Sequence, residues 1–281
     1  MIYFIFGLFL GSLVNNIAYR LVRNEDFILG SSKCDSCQKN LLWYELIPII
    51  SYLIQGGKCR NCRNKISFRY PLTELITGLL TYKIAEKTLL ISNFNLINFL
   101  YFNYFLIITL LFFILSLYDL ETFYIEDKLI YLAIFIWLIF ALVFNYLSIF
   151  PKIDFNPGLN SLIYLPELNV KDYIFNRLYY AFIFALSILI IFILTLGKGI
   201  GLGDIKLFFI LGLYFNFSDI LAASAFTILI SGIFSLFILI YKRKIKQAVP
   251  LGPFIFAGLF LSIFTGDYLY ELVNNLLILD T

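Results

Sequence analysis

The chain has 281 residues, 61% of them hydrophobic and only 14% charged, with a mean hydropathy of +0.90. A soluble domain of that composition would expose too much apolar surface, so the chain reads as an all-α polytopic membrane protein. A net charge of +3 does not favour a nucleic-acid partner, and the absence of histidine removes Ser-His-Asp, Cys-His and His-ligated metal chemistry, leaving carboxylates as the acid-base groups.

The first apolar run, 1–19, has no basic n-region. Its small residues Gly11-Ser12 are followed by Asn15-Asn16 and Arg20, which predicts a retained span and not a cleaved signal. Further spans of about 20 residues are expected near 72–93, 97–118, 128–149, 178–197, 205–216, 219–241 and 250–276, about eight in all. Glu74, Lys83 and Glu86 interrupt the second. The segment 205–216 is short, about 18 Å of helix, which sets Asp204 below the lipid surface. By span parity sixteen Lys and Arg fall on one side and five on the other, so the loop 20–71, Asp119 and Asp204 are all expected to face the cytoplasm. The segment 150–177, with Pro151, Pro157 and Pro166, reads as an extracytoplasmic loop.

Between the first two spans lie Cys34-Asp-Ser-Cys37 and Cys59-Arg-Asn-Cys62, two C-x2-C pairs 21 residues apart and the only cysteines of the chain. Each turn can offer two thiolates to one metal, and four sulfur ligands suit a structural Zn²⁺ with no open coordination position. Two disulfides or four unligated thiols are the alternatives; a reducing cytoplasmic face disfavours the first. Lys33, Lys58, Arg60 and Arg63 flank the pairs and ease thiolate formation. The apolar stretch Leu46–Ile54 is too short to span a bilayer, and packs this insertion or lies at the interface.

Two carboxylates stand out at span ends, Asp119 in Leu117-Tyr-Asp119-Leu-Glu121 and Asp204 in Gly201-Leu-Gly203-Asp204. A carboxylate costs about 2.5–3.5 kcal/mol at the centre of a spanning helix on insertion scales, so one near a membrane boundary needs a reason. Two of them close together can divide the work of a hydrolase, since both cannot readily ionise at once. Asp119 could equally be a solvated juxtamembrane charge, and Asp204 a helix N-cap. Asp127 and Glu126 read as caps of the fourth span. Lys206 could meet lipid phosphate, bias Asp204 towards ionisation, or snorkel. The glycine run Gly197 to Gly203 matches neither G-x-G-x-x-G nor G-x-x-x-x-G-K-[ST], which rules out a nucleotide loop.

With those residues in place the chain resembles the prepilin leader peptidases, bacterial membrane aspartic proteases of the GxGD type. The resemblance is carried, in order, by Gly11-Ser-Leu-Val-Asn15-Asn-Ile-Ala-Tyr-Arg20, Pro48-Ile-Ile-Ser51-Tyr between the cysteine pairs, and Ile66-Ser-Phe-Arg69-Tyr-Pro71-Leu-Thr-Glu74. Asp119 with Ile125 and Asp127, Gly201-Leu-Gly203-Asp204-Ile-Lys206-Leu207, and Pro250-Leu-Gly252-Pro253-Phe254 complete it. It implies that Asp119 and Asp204 are the catalytic pair, with Gly201, Gly203, Lys206 and Asp127 supporting them. It further implies cleavage of type IV prepilins and pseudopilins after a glycine at the cytoplasmic face of the bacterial inner membrane. Methylation of the new N-terminus with S-adenosylmethionine is implied as a second activity, associated with the cysteine loop 20–71 and carried beside a peptidase domain over 72–281. Glu126 departs from the usual proline before Asp127, and Val22 from a proline after Arg-Leu. The competing readings are an ion- or proton-coupled transporter and a non-catalytic zinc-loop scaffold. The sequence assigns neither the oligomeric state nor the S-adenosylmethionine contacts.

Overall fold

The structure, a computed structural model, describes residues 1–23, 25, 32–90, 95–146, 173–197, 200–242 and 249–278. The described residues are helical, with two isolated β-bridges and no strand. They form two compact units, Met1–Asn93 and Phe94–Thr281.

In the first unit α1 (Ile2–Val22) packs along α3 (Arg69–Ala85), which continues into a π-helical turn, Glu86–Leu90. In lipid there is little hydrophobic drive between helices, so close backbone approach across small residues supplies the association. A Cβ on Gly11 would lie 2.6 Å from Glu74 Cα, and one on Gly7 2.7 Å from the Thr77 carbonyl oxygen. Thr73, Thr77 and Thr81 line the same seam, and Asn15 Nδ2 crosses it to the Tyr70 carbonyl and the Thr73 hydroxyl. Leu46–Ile54 proves to be the end of a 3₁₀ turn (Trp43–Leu46) followed by a short helix, α2 (Ile50–Ile54). Ile50, Leu53 and Ile54 stay exposed and do not pack the insertion.

The second unit is built around α4 (Leu96–Thr122), whose most apolar stretch is 78% buried. Around it stand α5 (Asp127–Tyr146), α6 (Tyr173–Leu194), the short α7 (Leu202–Tyr214), α8 (Phe217–Lys242) and α9 (Gly252–Ile278). Tyr104 is the centre of the core. It stacks on Tyr214 at 5.1 Å, its hydroxyl meets that of Tyr173 at 3.1 Å, and Tyr214 donates to the Ala133 carbonyl at 2.6 Å. Phe113 stacks on Phe256 at 4.2 Å, joining α4 to α9. Gly212 of α7 lies directly against the Ala181 backbone of α6, and Gly258 of α9 against Ala223 of α8.

Each expected span overlaps a described helix, but among the described residues five helices (α1, α4, α5, α6 and α8), fewer than the eight spans expected, are long and apolar enough to cross a membrane. Several boundaries differ by a few residues, and two of them matter most here. The proposed loop 150–177 is largely outside the described residues, but its end, from Tyr173, already belongs to α6 because Tyr173 is held by Tyr104. The other is α7, which starts at Leu202 and takes in Gly203 and Asp204. Lys198, Gly199, Arg243, Lys244 and Lys246 lie outside the described residues.

Candidate active site and cysteine cluster

Asp119 lies in the last turn of α4, where its carbonyl accepts the Phe123 N–H at 2.9 Å and Phe123 turns into the left-handed region (φ 55°), ending the helix. The C-terminal end of a helix disfavours negative charge. The sequence compensates from elsewhere: Gly252, the first residue of α9, donates its N–H to Asp119 Oδ2 at 2.9 Å. A Cβ there would stand 2.7 Å from that oxygen. Only a residue without a side chain allows the helix N-terminus to sit on the carboxylate.

Asp204 is the third residue of α7, and its Oδ2 accepts the Gly201 N–H at 2.8 Å. The N-cap is therefore Gly201, not Asp204. Asp204 reaches back over the first turn, which satisfies one of the N–H groups that a helix start leaves open. Both aspartates are buried, at 5% and 8% exposure, and the two carboxylates interact electrostatically. Each accepts one backbone N–H at a helix start, and among the described residues neither has an ion-pair partner. Two acids without counter-ions, each with one carboxylate oxygen fixed, form an arrangement able to pass protons and not one that neutralises charge.

The supporting residues tie the two segments together. Gly203 packs against Ile125, with a Cβ at 203 falling 2.8 Å from Ile125 Cδ1. This glycine accommodates Ile125. Gly201 is extended (φ −87°, ψ 158°) with only ordinary contacts near its would-be Cβ, so nothing in its own packing demands glycine. Lys206 Nζ meets Asp127 Oδ1 at 2.5 Å, bridging α7 to the start of α5. Lys206 thus pairs with Asp127 and not with Asp204. Glu126 takes the Tyr118 hydroxyl at 3.3 Å and Lys128 at 3.9 Å, so its extra charge is met without disturbing the Lys206–Asp127 pair.

In the first unit the sulfurs of Cys34, Cys37, Cys59 and Cys62 lie within 4.8 Å of one another, with Cys34 and Cys62 3.9 Å apart. The two C-x2-C turns are built alike. Each is flanked by a β-bridge (Lys33 with Asn40, Lys58 with Lys65), and each turns through a left-handed residue, Gln38 or Arg63. Sulfur ligands at about 2.3 Å from a tetrahedral ion require separations close to these, so the cluster fits one metal ion. Backbone N–H donation at Lys39, then the Asn61 amide, brings the Cys37 thiol down to about 7, whereas burial pushes Cys34 up to about 11.

Comparison with known proteins separates the same two parts. The Bacterial Peptidase A24 N-terminal domain matches residues 5–88, and the Type IV leader peptidase family matches 105–240. The chain is 32% identical to the Prepilin leader peptidase/N-methyltransferase of Bacillus subtilis over 95% of its own length and 94% of the relative's. The chain belongs to the type IV leader peptidase family. It is also 24% identical to the protein of that name from Pseudomonas aeruginosa (93% and 88% covered) and 26% identical to that from Aeromonas salmonicida (94% and 90%). No solved structure matches it significantly.

Within this family member, two features escape a reading of single residues. Gly252 was visible only as part of a Pro-Leu-Gly-Pro motif, since nothing in the sequence announces that its N–H meets a carboxylate 133 positions away. The other is Glu74, which is 8% exposed and accepts the Ile49 N–H at 2.7 Å, binding α3 to the segment between the cysteine pairs.

Proposed function

We propose that this chain is a membrane aspartic endopeptidase that removes the leader from type IV prepilins and pseudopilins, cutting after glycine, and that it also methylates the new N-terminus. It is a multi-pass protein of the bacterial inner membrane. The reading that the active site and the loop 20–71 face the cytoplasm rests on the excess of basic residues on that side. Peptidase chemistry is assigned to 72–281, with Asp119 and Asp204 as the catalytic pair. The observation that carries this is two buried carboxylates, 85 positions apart in sequence, each tethered by one helix-start N–H and each lacking a counter-ion among the described residues.

A helical amide is sterically closed, so the substrate unwinds around its glycine. One aspartate, ionised, takes a proton from water as the oxygen attacks the carbonyl carbon. The other, protonated, donates to the carbonyl oxygen, and the intermediate collapses with the leaving amine taking a proton. The single N–H on each Oδ2 holds the carboxylate in place while its second oxygen handles the proton. Membrane lipid surrounds the helices, and the apolar helix of the substrate docks among the spans with its basic leader in the cytoplasm.

The cysteine cluster suits Zn²⁺ held by Cys34, Cys37, Cys59 and Cys62. With four protein ligands the ion supplies a structural clamp for the loop and no open site. S-adenosylmethionine is the methyl donor in this reading. The test is mass spectrometry of a prepilin incubated with the purified protein. A mature pilin cut after glycine and heavier by one methyl group is the expected product. An uncut substrate would defeat the peptidase reading, and an unmodified amine the methyltransferase reading.

A further inference from the structure

The segment between the cysteine pairs is built inside out. α2 places Ile50, Leu53 and Ile54 at i, i+3 and i+4, on one face of the helix, and that face points outward: Leu53 is 69% exposed and Ile54 81%. Ser51, Tyr52 and Gln55, on the other side, line a polar cavity of about 680 Å³ whose wall also holds Asn15 and Glu74. A helix packed on a domain in water has the reverse polarity. An apolar face turned outward marks contact with something apolar.

The depth of α2 identifies that neighbour. Ile49 donates its N–H to Glu74 Oε2 at 2.7 Å, and the backbone of Glu74 lies against Gly11 of α1. Gly11 is about 16 Å short of the end of α1 at Val22, at about 1.5 Å per residue, on a helix long and apolar enough to cross a membrane. α2 therefore starts beside a spanning helix and does not stand above it. Tyr52 sets its ring edge-on to that of Phe68 at 6.4 Å, and Phe68 is an exposed residue directly before α3. The turn that aims α2 is strained. Ile49, a β-branched residue, has φ 59°, and the Ile50 N–H closes onto the Pro48 carbonyl at 2.5 Å. Such a turn persists only where its surroundings hold it.

Charge points the same way. Shortly after α2 comes a bridge pair, Lys58 with Lys65, both exposed, and Arg60 and Arg63 are exposed in the turn between them. Among the described residues of 32–68, Asp35 is the only exposed acid. Exposed cations beside an apolar face match an anionic lipid surface and repel a basic leader peptide.

We infer that α2 is seated in the bilayer, with Ile50, Leu53 and Ile54 among the acyl chains just below the headgroups, and with Lys58, Arg60, Arg63 and Lys65 on the phosphates of anionic phospholipids. The cysteine-bearing segment is then a lipid-embedded insertion and not a loop standing in water. Cys59 and Cys62, in the same turn as those cations, are thereby held at the membrane surface. The inference rests on the membrane reading of the chain and on neither of its activities.

The test is bromolipid quenching of Leu53→Trp in the full-length protein, reconstituted one copy per nanodisc. Emission of the wild type, from Trp43 and Trp137, is subtracted. Phosphatidylglycerol brominated near the headgroup end of its chains is expected to quench position 53 at least about twofold, and aqueous iodide to leave it unchanged. Phosphatidylcholine brominated at the same place should quench less, and Lys58→Gln/Lys65→Gln should remove the difference between the two lipids. Quenching by iodide and not by bromolipid would put α2 in water and overturn the inference. Protection from both, or loss of bromolipid quenching when a prepilin is added, would assign the face to a protein partner and overturn it equally. Equal quenching in the two lipids would refute the phosphate contacts. A protein that does not enter nanodiscs at all would defeat the membrane reading itself.

Discussion

The first unit gathers its chemistry in a loop and the second in its helix ends. In Met1–Asn93 two helices are zipped together by Gly7, Gly11 and a row of threonines, and the segment between them carries four clustered thiols and a polar cavity. In Phe94–Thr281 the interior is a close-packed aromatic core around Tyr104, and the polar groups of the candidate site come from the last turn of α4 and the starts of α5, α7 and α9. The loop can be shaped by a metal and a ligand, whereas the helix-end site is shaped by backbone N–H groups that cannot be titrated or chelated away. The two activities should therefore fail separately.

The largest expected effect on cleavage short of removing a carboxylate is at Gly252. Gly252→Val drives a side chain against Asp119 Oδ2, and misplacement of a reacting group by about 1 Å costs on the order of 100-fold. Prepilin cleavage by this variant, followed on gels, should fall by roughly that factor, with methylation of a pre-cleaved pilin retained. Next in size is Gly212→Leu, which forces side-chain atoms into the Ala181 backbone. Overpacking of this kind costs about 1–3 kcal/mol and should lower the thermal midpoint of the second unit.

The loop yields to chemistry instead. Stripping metal with a chelator, or replacing Cys59 by Ser, should abolish methylation while cleavage persists; metal content by atomic absorption and the two product masses read this out. Acid should release the metal as well, because bound thiolates must take up protons to leave it. Equal loss of both activities would show that the loop also supports the peptidase. The smallest effect belongs to Lys206→Gln. Its pair with Asp127 is half-exposed, worth about 0.2–1 kcal/mol, so cleavage should change by no more than about fivefold.

How much was readable in the sequence follows the range of the interactions. Helix positions came from apolar runs, and the cysteine cluster from local spacing, because both are set by neighbours along the chain. The start of α7 was misplaced by three residues because Asp204 looks like an N-cap; its reach back to Gly201 depends on the geometry of the turn. Lys206 offered several partners in sequence, and the fold gives it Asp127 at the start of α5. The roles of Gly252, and of Asn15 and Glu74 in the cavity wall, depend on contacts between distant segments, which no local pattern encodes.

The central claim is that Asp119 and Asp204 share one reaction. Purified Asp119→Asn, Asp204→Asn and the double variant should each fold and insert, and each should cleave a prepilin at least about 1,000-fold more slowly than the wild type, the double no worse than either single. Wild-type cleavage by either single variant, measured by mass spectrometry of the pilin product, would contradict it.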